Sequence, residues 1–193
     1  MPKIEITKAA LAAGLRRLIT KKKLNQITIK DITNECGISR NAFYYHFSDK
    51  YDLVNWIFIS QTLPVINTFS APDRYFDGFV ALCRHMLEDK QFYMEAFRYS
   101  GQNSLWETLT ESYYELIKIH ISTVYAQIGY RLTADELFIT ARLETHAYVG
   151  IIREWVHDGM NENYLSYFEQ LKRIKAGLAF PLDPSLQNHN IQP

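Results

Sequence analysis

Residues 27–54 decide the fold of this chain, and they read ITIKDITNECGISRNAFYYHFSDKYDLV. Thr28 is followed three residues later by Asp31, a pattern typical of a capping box at the start of a helix. Gly37 can adopt the positive φ angle of a tight turn, and Ser39 can cap the helix that follows. The segment therefore predicts two short helices joined by a tight turn.

The second short helix, predicted over about residues 40–47, has an apolar face and a polar face. Phe43 and Phe47 are four residues apart, so they share one side and would pack into a small core with nearby isoleucines. The opposite side carries Arg40, Asn41, Tyr44 and Tyr45. Two short helices with such a polar face are typical of proteins that insert the second helix into the major groove of DNA.

Residues at the start of this second helix are expected to reach the edges of bases. The Arg40 guanidinium can donate two hydrogen bonds to guanine, and the Asn41 amide can pair with adenine. His46 has two alternatives, a phosphate contact or a place in the core, and the tyrosines have half-buried packing as theirs. The side chains with the reach for phosphate oxygens are those of Thr28, Lys30, Tyr44, Tyr45, His46 and Lys50.

Charge is divided unequally along the chain, although the formal net charge is zero. Residues 1–55 carry ten Lys or Arg against five Asp or Glu, whereas the remaining 138 residues carry 11 against 16. A polyanion such as DNA attracts the basic part and repels the acidic part. The distribution therefore favours double-stranded DNA as a partner of the N-terminal segment alone.

The same segment resembles the TetR/AcrR family of bacterial regulators over about 50 residues. The resemblance is carried by Cys36-Gly37-Ile38-Ser39, by Phe43-Tyr44-Tyr45-His46-Phe47, and by Lys50 with the Asp52-Leu53 pair that follows. It implies a homodimeric repressor or activator that is controlled by a small-molecule effector. It also implies that Ser39, Arg40, Asn41 and Ala42 probe an operator, and that Thr28, Tyr44, Tyr45, His46 and Lys50 hold phosphates. Asn41 stands where many relatives carry a small residue, so no base preference is implied for it.

A second resemblance lies near the other end of the chain. The stretch Gly150-Ile151-Ile152-Arg153-Glu154-Trp155, with Gly159-Met160 after it, is similar to the C-terminal domain of the subgroup around regulators of dihydroxyacetone kinase operons. This resemblance motivates an alternative function, a transcriptional co-regulator that acts mainly by binding another protein.

Helical periodicity runs along nearly the whole chain, so we predict an all-α fold of about nine helices. Ser48 is expected to cap the fourth helix and Pro64 to end it. We predict an N-terminal three-helix DNA-binding domain over residues 1–50, a C-terminal helical domain for ligand binding and dimerisation over 51–180, and a loose tail over 181–193. The start has no apolar signal region and no stretch approaches the ~18 apolar residues that span a bilayer, so we expect a cytoplasmic protein without a membrane partner.

The acidic part contains no HExxH, GxSxG, GxGxxG or P-loop motif, so we expect neither an enzyme nor a cofactor. Cys36 and Cys83 form no CxxC pair and the six histidines are scattered, so no metal site is expected. Aromatic residues are dense here, and they either form the core or line a pocket for an effector. The candidate lining residues are Phe79, His85, Phe97, Trp106, Tyr113, His120 and Tyr148.

A homodimer is expected because two recognition helices double the phosphate contacts and match a palindrome. The last two predicted helices, near residues 134–158 and 163–179, carry apolar stripes at helical spacing. Packing within one chain could instead use either stripe. The candidate interface residues are Leu137, Ala141, Tyr148, Ile152, Trp155, Phe168, Leu171 and Ile174.

Overall fold

The computed structural model describes residues 3–67 and 74–177, and within these ranges it is helical and contains no strand. A π-helical turn, Phe58–Thr62, joins α4 to α5, so that the two form one helical run and the described ranges hold nine. The predicted all-α fold of about nine helices is confirmed. The α-helices are α1 (Lys3–Ile19), α2 (Ile29–Cys36), α3 (Arg40–His46), α4 (Lys50–Ile57), α5 (Leu63–Asn67), α6 (Tyr75–Glu88), α7 (Lys90–Ala96), α8 (Leu105–Gln127), α9 (Ala134–His157) and α10 (Asn163–Gly177).

Local sequence signals set the ends of α2 and α3 as predicted. The Thr28 hydroxyl accepts a hydrogen bond from the Asp31 N–H at 3.1 Å, and the Asp31 carboxylate accepts one from the Thr28 N–H at 2.8 Å. Gly37 ends α2 with a φ of 65°, a backbone conformation that favours glycine. The Ser39 hydroxyl accepts from the Ala42 N–H at 3.2 Å and so begins α3.

The fourth helix differs from its prediction at both ends. Asp49, not Ser48, is its N-cap, because the Asp49 carboxylate accepts hydrogen bonds from the N–H groups of Tyr51 and Asp52. Pro64 does not end the helical run. The π-helical turn before it places Pro64 in the first turn of α5, where a helix needs no N–H donor.

Two compact units share the chain, and the first comprises residues 3–65 and 85–109 of the described ranges. Its core contains Leu15 from α1, Ile32 from α2, Phe43 from α3 and Leu53 from α4, all of them fully buried. Side chains from α7 hold α1 at its end: Arg16 pairs with Asp89 at 2.5 Å, and Gln91 donates to the Ile19 carbonyl at 3.1 Å. The predicted domain boundary at residue 50 stays a prediction, and the predicted tail lies outside the described residues.

The second unit comprises residues 66–67, 74–84 and 110–177, and aromatic rings form its core. The Phe79 ring centroid lies 5.1 Å from that of Tyr148 and 5.0 Å from that of Phe168, which in turn lies 6.0 Å from that of Trp155. Packing inside one chain thus uses most of the predicted dimer stripe, which corrects that prediction. The buried candidates are Ala141, Tyr148, Ile152, Trp155 and Phe168; Leu137 and Leu171 are half-buried and Ile174 is exposed.

Among the described residues, no helix is both long enough and apolar enough to cross a lipid bilayer.

Gly14 lies where α1 packs on α2, and a Cβ atom added there would overlap the Cys36 sulfur. That sulfur cannot swing away without losing its hydrogen bond to the Ala10 carbonyl, 3.2 Å distant. We expect Gly14→Ala to lower the free energy of unfolding by about 1–3 kcal/mol, because overpacking outweighs the gain in helix propensity.

In a Cys36→Ala background, the same substitution should instead stabilise the protein by up to about 1 kcal/mol, since only the propensity gain remains. Urea denaturation of the four proteins measures both effects and their coupling. An equal effect of Gly14→Ala in the two backgrounds would contradict this account of the α1–α2 packing.

Candidate nucleic-acid interface

The recognition helix α3 has the two faces that the sequence predicts. Phe43 is fully buried and Phe47, just beyond the helix, is 3% exposed. The opposite side is open to solvent, and the Tyr45 side chain there is 76% exposed. The exposed residues on this side are Arg40, Asn41, Tyr44 and Tyr45. The structure thus brings the predicted base-contacting residues onto one accessible surface, and their individual roles stay predictions.

Arg40 is available at the start of this surface. Its guanidinium carbon lies 5.9 Å from the ring centroid of Tyr44, and within the described part of the chain it forms no ion pair. The Ser39 hydroxyl oxygen accepts the capping hydrogen bond, which leaves its proton free to be donated. Ala42 is half-buried, so only a small apolar contact is available from it.

Thr28, a predicted phosphate contact, uses its side chain within the capping box. Its hydroxyl donates to an Asp31 carboxylate oxygen at 2.8 Å and accepts from the Asp31 N–H. The same carboxylate pairs with the Lys22 ammonium at 2.9 Å. Lys22 and Thr28 together hold the pKa of Asp31 well below its usual range. The Thr28 side chain therefore contributes first to the position of the α2 N-terminus.

Lys50, the other flanking candidate, is also occupied inside the chain. Its ammonium donates to the carbonyl oxygens of Leu24, Asn25 and Ile27 at 2.8, 3.2 and 2.8 Å. The side chain is half-buried, and this burial lowers the pKa of Lys50. Sequence reasoning missed these contacts because they join residues more than 20 positions apart.

His46 lies between two aromatic neighbours at the end of α3. Its ring centroid is 4.9 Å from that of Tyr45 and 6.3 Å from that of Phe47. The side chain is half-buried, so both alternatives, phosphate contact and core position, stay open for it.

The cations of the N-terminal segment fall into two groups. Arg17 pairs with Glu35 at 2.7 Å, and Lys22 pairs with Asp31, so both of these cations join α1 and the loop after it to α2. Others have no carboxylate partner within 4 Å among the described residues, and all of them are exposed: Lys21, Lys23, Lys30 and Arg40. These four are the charges that remain for DNA phosphates.

The seven predicted pocket residues do not form one site, which corrects that prediction. Phe79, Tyr113, His120 and Tyr148 lie in the second unit, where the Tyr75 ring stacks on His120 with centroids 4.2 Å apart. The other three lie in the first unit. There the Phe97 and Trp106 ring centroids are 4.2 Å apart, and the His85 imidazole lies 3.2 Å from the Glu88 carboxylate.

Tyr75, which the sequence analysis did not single out, has an unusual hydroxyl group. It is buried and makes no hydrogen bond with the described residues, although Tyr113 and Tyr148 lie near it. Burial raises the pKa of all three tyrosines far above the usual range, so all three hydroxyls stay protonated. A neutral hydroxyl that lacks a partner is the one polar group of this cluster with spare bonding capacity.

Comparison with protein families matches both parts of the chain. The model described as bacterial regulatory proteins, tetR family, matches residues 8–57. The model described as a transcriptional regulator C-terminal region matches residues 73–176, which is more than half of the chain.

Two regulators show sequence similarity over parts of the chain. The HTH-type dhaKLM operon transcriptional activator DhaS of Lactococcus lactis subsp. lactis (strain IL1403) is 29% identical over 97 residues, covering 50% of this chain and 52% of that protein. The HTH-type transcriptional regulator YerO of Bacillus subtilis (strain 168) is 50% identical over 38 residues, covering 20% of this chain and 13% of YerO. The chain thus spans about half, or less, of the length of these relatives.

Solved structures share the fold over a longer stretch. The dihydroxyacetone kinase operon activator DhaS has a TM-score of 0.65 at 22% identity, and the match covers 88% of this chain and 96% of that one. NalD, the secondary repressor of the MexAB-OprM multidrug efflux pump in Pseudomonas aeruginosa, has a TM-score of 0.60 at 16% identity with the same coverage. At these identities the likeness concerns the fold.

The Asp31 carboxylate generates a pH-dependent stability. Its pKa is lowered on folding, so its stabilising contribution is present above pH ~4 and is lost as the pH falls below that value toward the folded pKa. Asp31→Asn should therefore be less stable than the unmodified protein at pH 7, and the two should converge in acid. Urea denaturation between pH 3 and 7, roughly the range over which an unfolded Asp titrates, measures the difference.

Asp135→Asn is the matched control, because Asp135 is exposed at the start of α9 and pairs with no described cation. Its stability curve should run parallel to that of the unmodified protein. A constant gap between the Asp31→Asn curve and the unmodified curve at every pH would contradict the proposed linkage.

Proposed function

This chain belongs to the TetR family of bacterial regulatory proteins, and on that premise we propose that it regulates transcription by binding a palindromic operator as a homodimer. The observation that carries the proposal is the exposed polar side of α3, which buried Phe43 holds from behind. The relatives named above are regulators, so the proposal assigns the chain to regulation and not to catalysis.

Base recognition is assigned to the start of α3. Arg40 and Asn41 offer the hydrogen-bond donors and acceptors that discriminate base pairs in the major groove. The unpaired cations Lys21, Lys23 and Lys30 supply attraction to the phosphates, which acts on any sequence. A gel-shift scan of the DNA upstream of the gene tests this directly, and the proposal fails if no site binds more tightly than random DNA.

Dimerisation is assigned to the outward sides of α9 and α10. Ile139 and Leu143 lie one turn apart on α9 and are 63% and 71% exposed, next to Phe138 at 52%. Tyr167 and Ile174 on α10 are each 57% exposed. Large apolar side chains left open in this number on two neighbouring elements of sequence are typical of an interface. Ile174 is the member of the original candidate set that this surface retains.

Control by an effector is assigned to the aromatic cluster of the second unit. The unpartnered Tyr75 hydroxyl and the neutral hydroxyls of Tyr113 and Tyr148 would donate hydrogen bonds to a small molecule that enters among the rings. Such a ligand changes operator affinity only if it binds the DNA-competent and the incompetent conformations with different affinities.

A co-regulator function is the second candidate, in which another protein is the main partner. The exposed apolar side of α9 suits this equally well, because such a surface does not distinguish a second copy from a different chain. A pull-down with and without operator DNA separates the two, and recovery of no protein other than a second copy counts against the co-regulator.

Arg40→Ala should lose discrimination at one base pair of each half-site, by about 1–3 kcal/mol, with little change at other positions. The physical reason is that a bidentate contact to one base is removed while the phosphate contacts remain. Competition binding against a library of single-base operator variants measures it. Arg131→Ala, an exposed arginine between α8 and α9, is the control and should bind as the unmodified protein does. An equal loss across all sequences would assign Arg40 to the phosphates instead.

Leu143→Glu should convert the dimer into a monomer, because a buried carboxylate without a partner costs several kcal/mol at an interface. Sedimentation velocity measures the species, and operator affinity should fall with the loss of the dimer. Ile119→Glu is the matched control, since Ile119 is 67% exposed but lies on α8. A monomer produced by Ile119→Glu and not by Leu143→Glu would move the interface to α8.

A further inference from the structure

The Lys50 ammonium lies at the meeting point of three carbonyl groups. The acceptors are the backbone oxygens of Leu24, Asn25 and Ile27, all within 3.2 Å of the nitrogen. An ammonium group has three N–H donors and no acceptor, so three carbonyls use its whole bonding capacity. No donor remains for a phosphate oxygen while these bonds persist.

These carbonyls belong to the turn that leads into α2. Residues Leu24–Gln26 form a single 3₁₀ turn, closed by the Ile27 N–H on the Leu24 carbonyl at 3.2 Å. Thr28, the N-cap of α2, follows immediately. Leu24 and Ile27 are buried, at 2% and 1% exposure, so little water can replace the lysine as their donor. The place of the α2 N-terminus thus depends on the cation that gathers the turn.

The turn is fixed from its other side as well. The Leu24 N–H donates to the Glu95 carboxylate at 3.1 Å, and Tyr51, next to Lys50, stacks on Tyr99 with centroids 3.7 Å apart. All of these residues lie in the first unit. Lys50 is therefore one member of a rigid frame around residues 24–27 and not a mobile surface cation.

We propose that Lys50 is a positioning residue for operator binding: it fixes the 24–27 turn and through it the start of α2, while the phosphate contact at this edge comes from Lys30. Lys30 is exposed in the first turn of α2 and forms no ion pair with a described residue. The proposal rests on the proposed DNA-binding function, and it reverses the role that the family resemblance implies for Lys50.

Arginine substitutions separate the two roles, because a planar guanidinium binds phosphate at least as well as an ammonium but cannot direct three donors onto three converging carbonyls. Operator affinity is measured by fluorescence anisotropy over a range of salt concentrations. Lys50→Arg should weaken binding by roughly tenfold or more, the loss of one or two charge-assisted hydrogen bonds, with the salt slope unchanged. Lys30→Arg should leave affinity and slope unchanged, whereas Lys30→Gln should reduce the slope by about one per protomer.

Two results would overturn the proposal. One is a Lys50→Arg protein that binds as tightly as the unmodified one, and the other is a Lys50→Gln protein whose salt slope falls as that of Lys30→Gln does. A Lys50→Arg protein that is merely less stable, yet binds normally when folded, also counts against it.

A second measurement does not require DNA. Amide hydrogen exchange at residues 24–28 should be at least about tenfold faster in Lys50→Arg than in Lys30→Arg, while exchange in α9 stays the same in both. Unchanged exchange in the turn would refute the positioning role even if operator binding is normal. If the unmodified protein binds no operator but the turn does loosen, the regulatory function fails and the frame around Lys50 stands.

Discussion

A helix of seven residues does not hold its shape alone in water, and α3 (Arg40–His46) has that length. Its conformation is imposed by Phe43, which is fully buried between neighbouring helices of the first unit, and by the Ser39 cap at its start. The surface proposed to meet DNA is therefore only as well ordered as the packing behind it. Gly37, which turns the chain between α2 and α3, and Gly14, which lets α1 approach α2, serve the same end.

Electrostatics in the N-terminal segment are shared between two tasks. Arg17 and Lys22 pair with carboxylates of α2, and the Lys50 ammonium is held by backbone carbonyls, so these charges stabilise the arrangement of helices. Lys30 and Arg40 are left for an external anion. An excess of basic residues counted along the sequence thus overstates the charge that can bind DNA.

The sequence predicts best what depends on near neighbours. The capping box of Thr28 and Asp31, the Ser39 cap and the Gly37 turn each need contacts within a few residues, and all were predictable. Lys50 was not, because its acceptors lie in a distant turn and are backbone groups without a side-chain signature. The stripes of α9 show the same limit: periodicity identifies Tyr148 and Trp155 as apolar but cannot tell that Phe79 and Phe168 of the same chain cover that region, whereas Leu143 stays open.

The π-helical turn at Phe58–Thr62 has a meaning for the history of the chain. Such a turn holds one residue more than the α-helical turn it replaces, so it is how a helix absorbs a single-residue insertion without breaking. Thr62 is fully buried and its hydroxyl meets that of Tyr93, which ties the added length to a polar contact in the interior. Removal of one residue here would rotate everything that follows in α5 by about 100° relative to α4. Descent with insertions and deletions can therefore change the angular register beyond α4 in one step, while the DNA-facing helices before it keep their sequence.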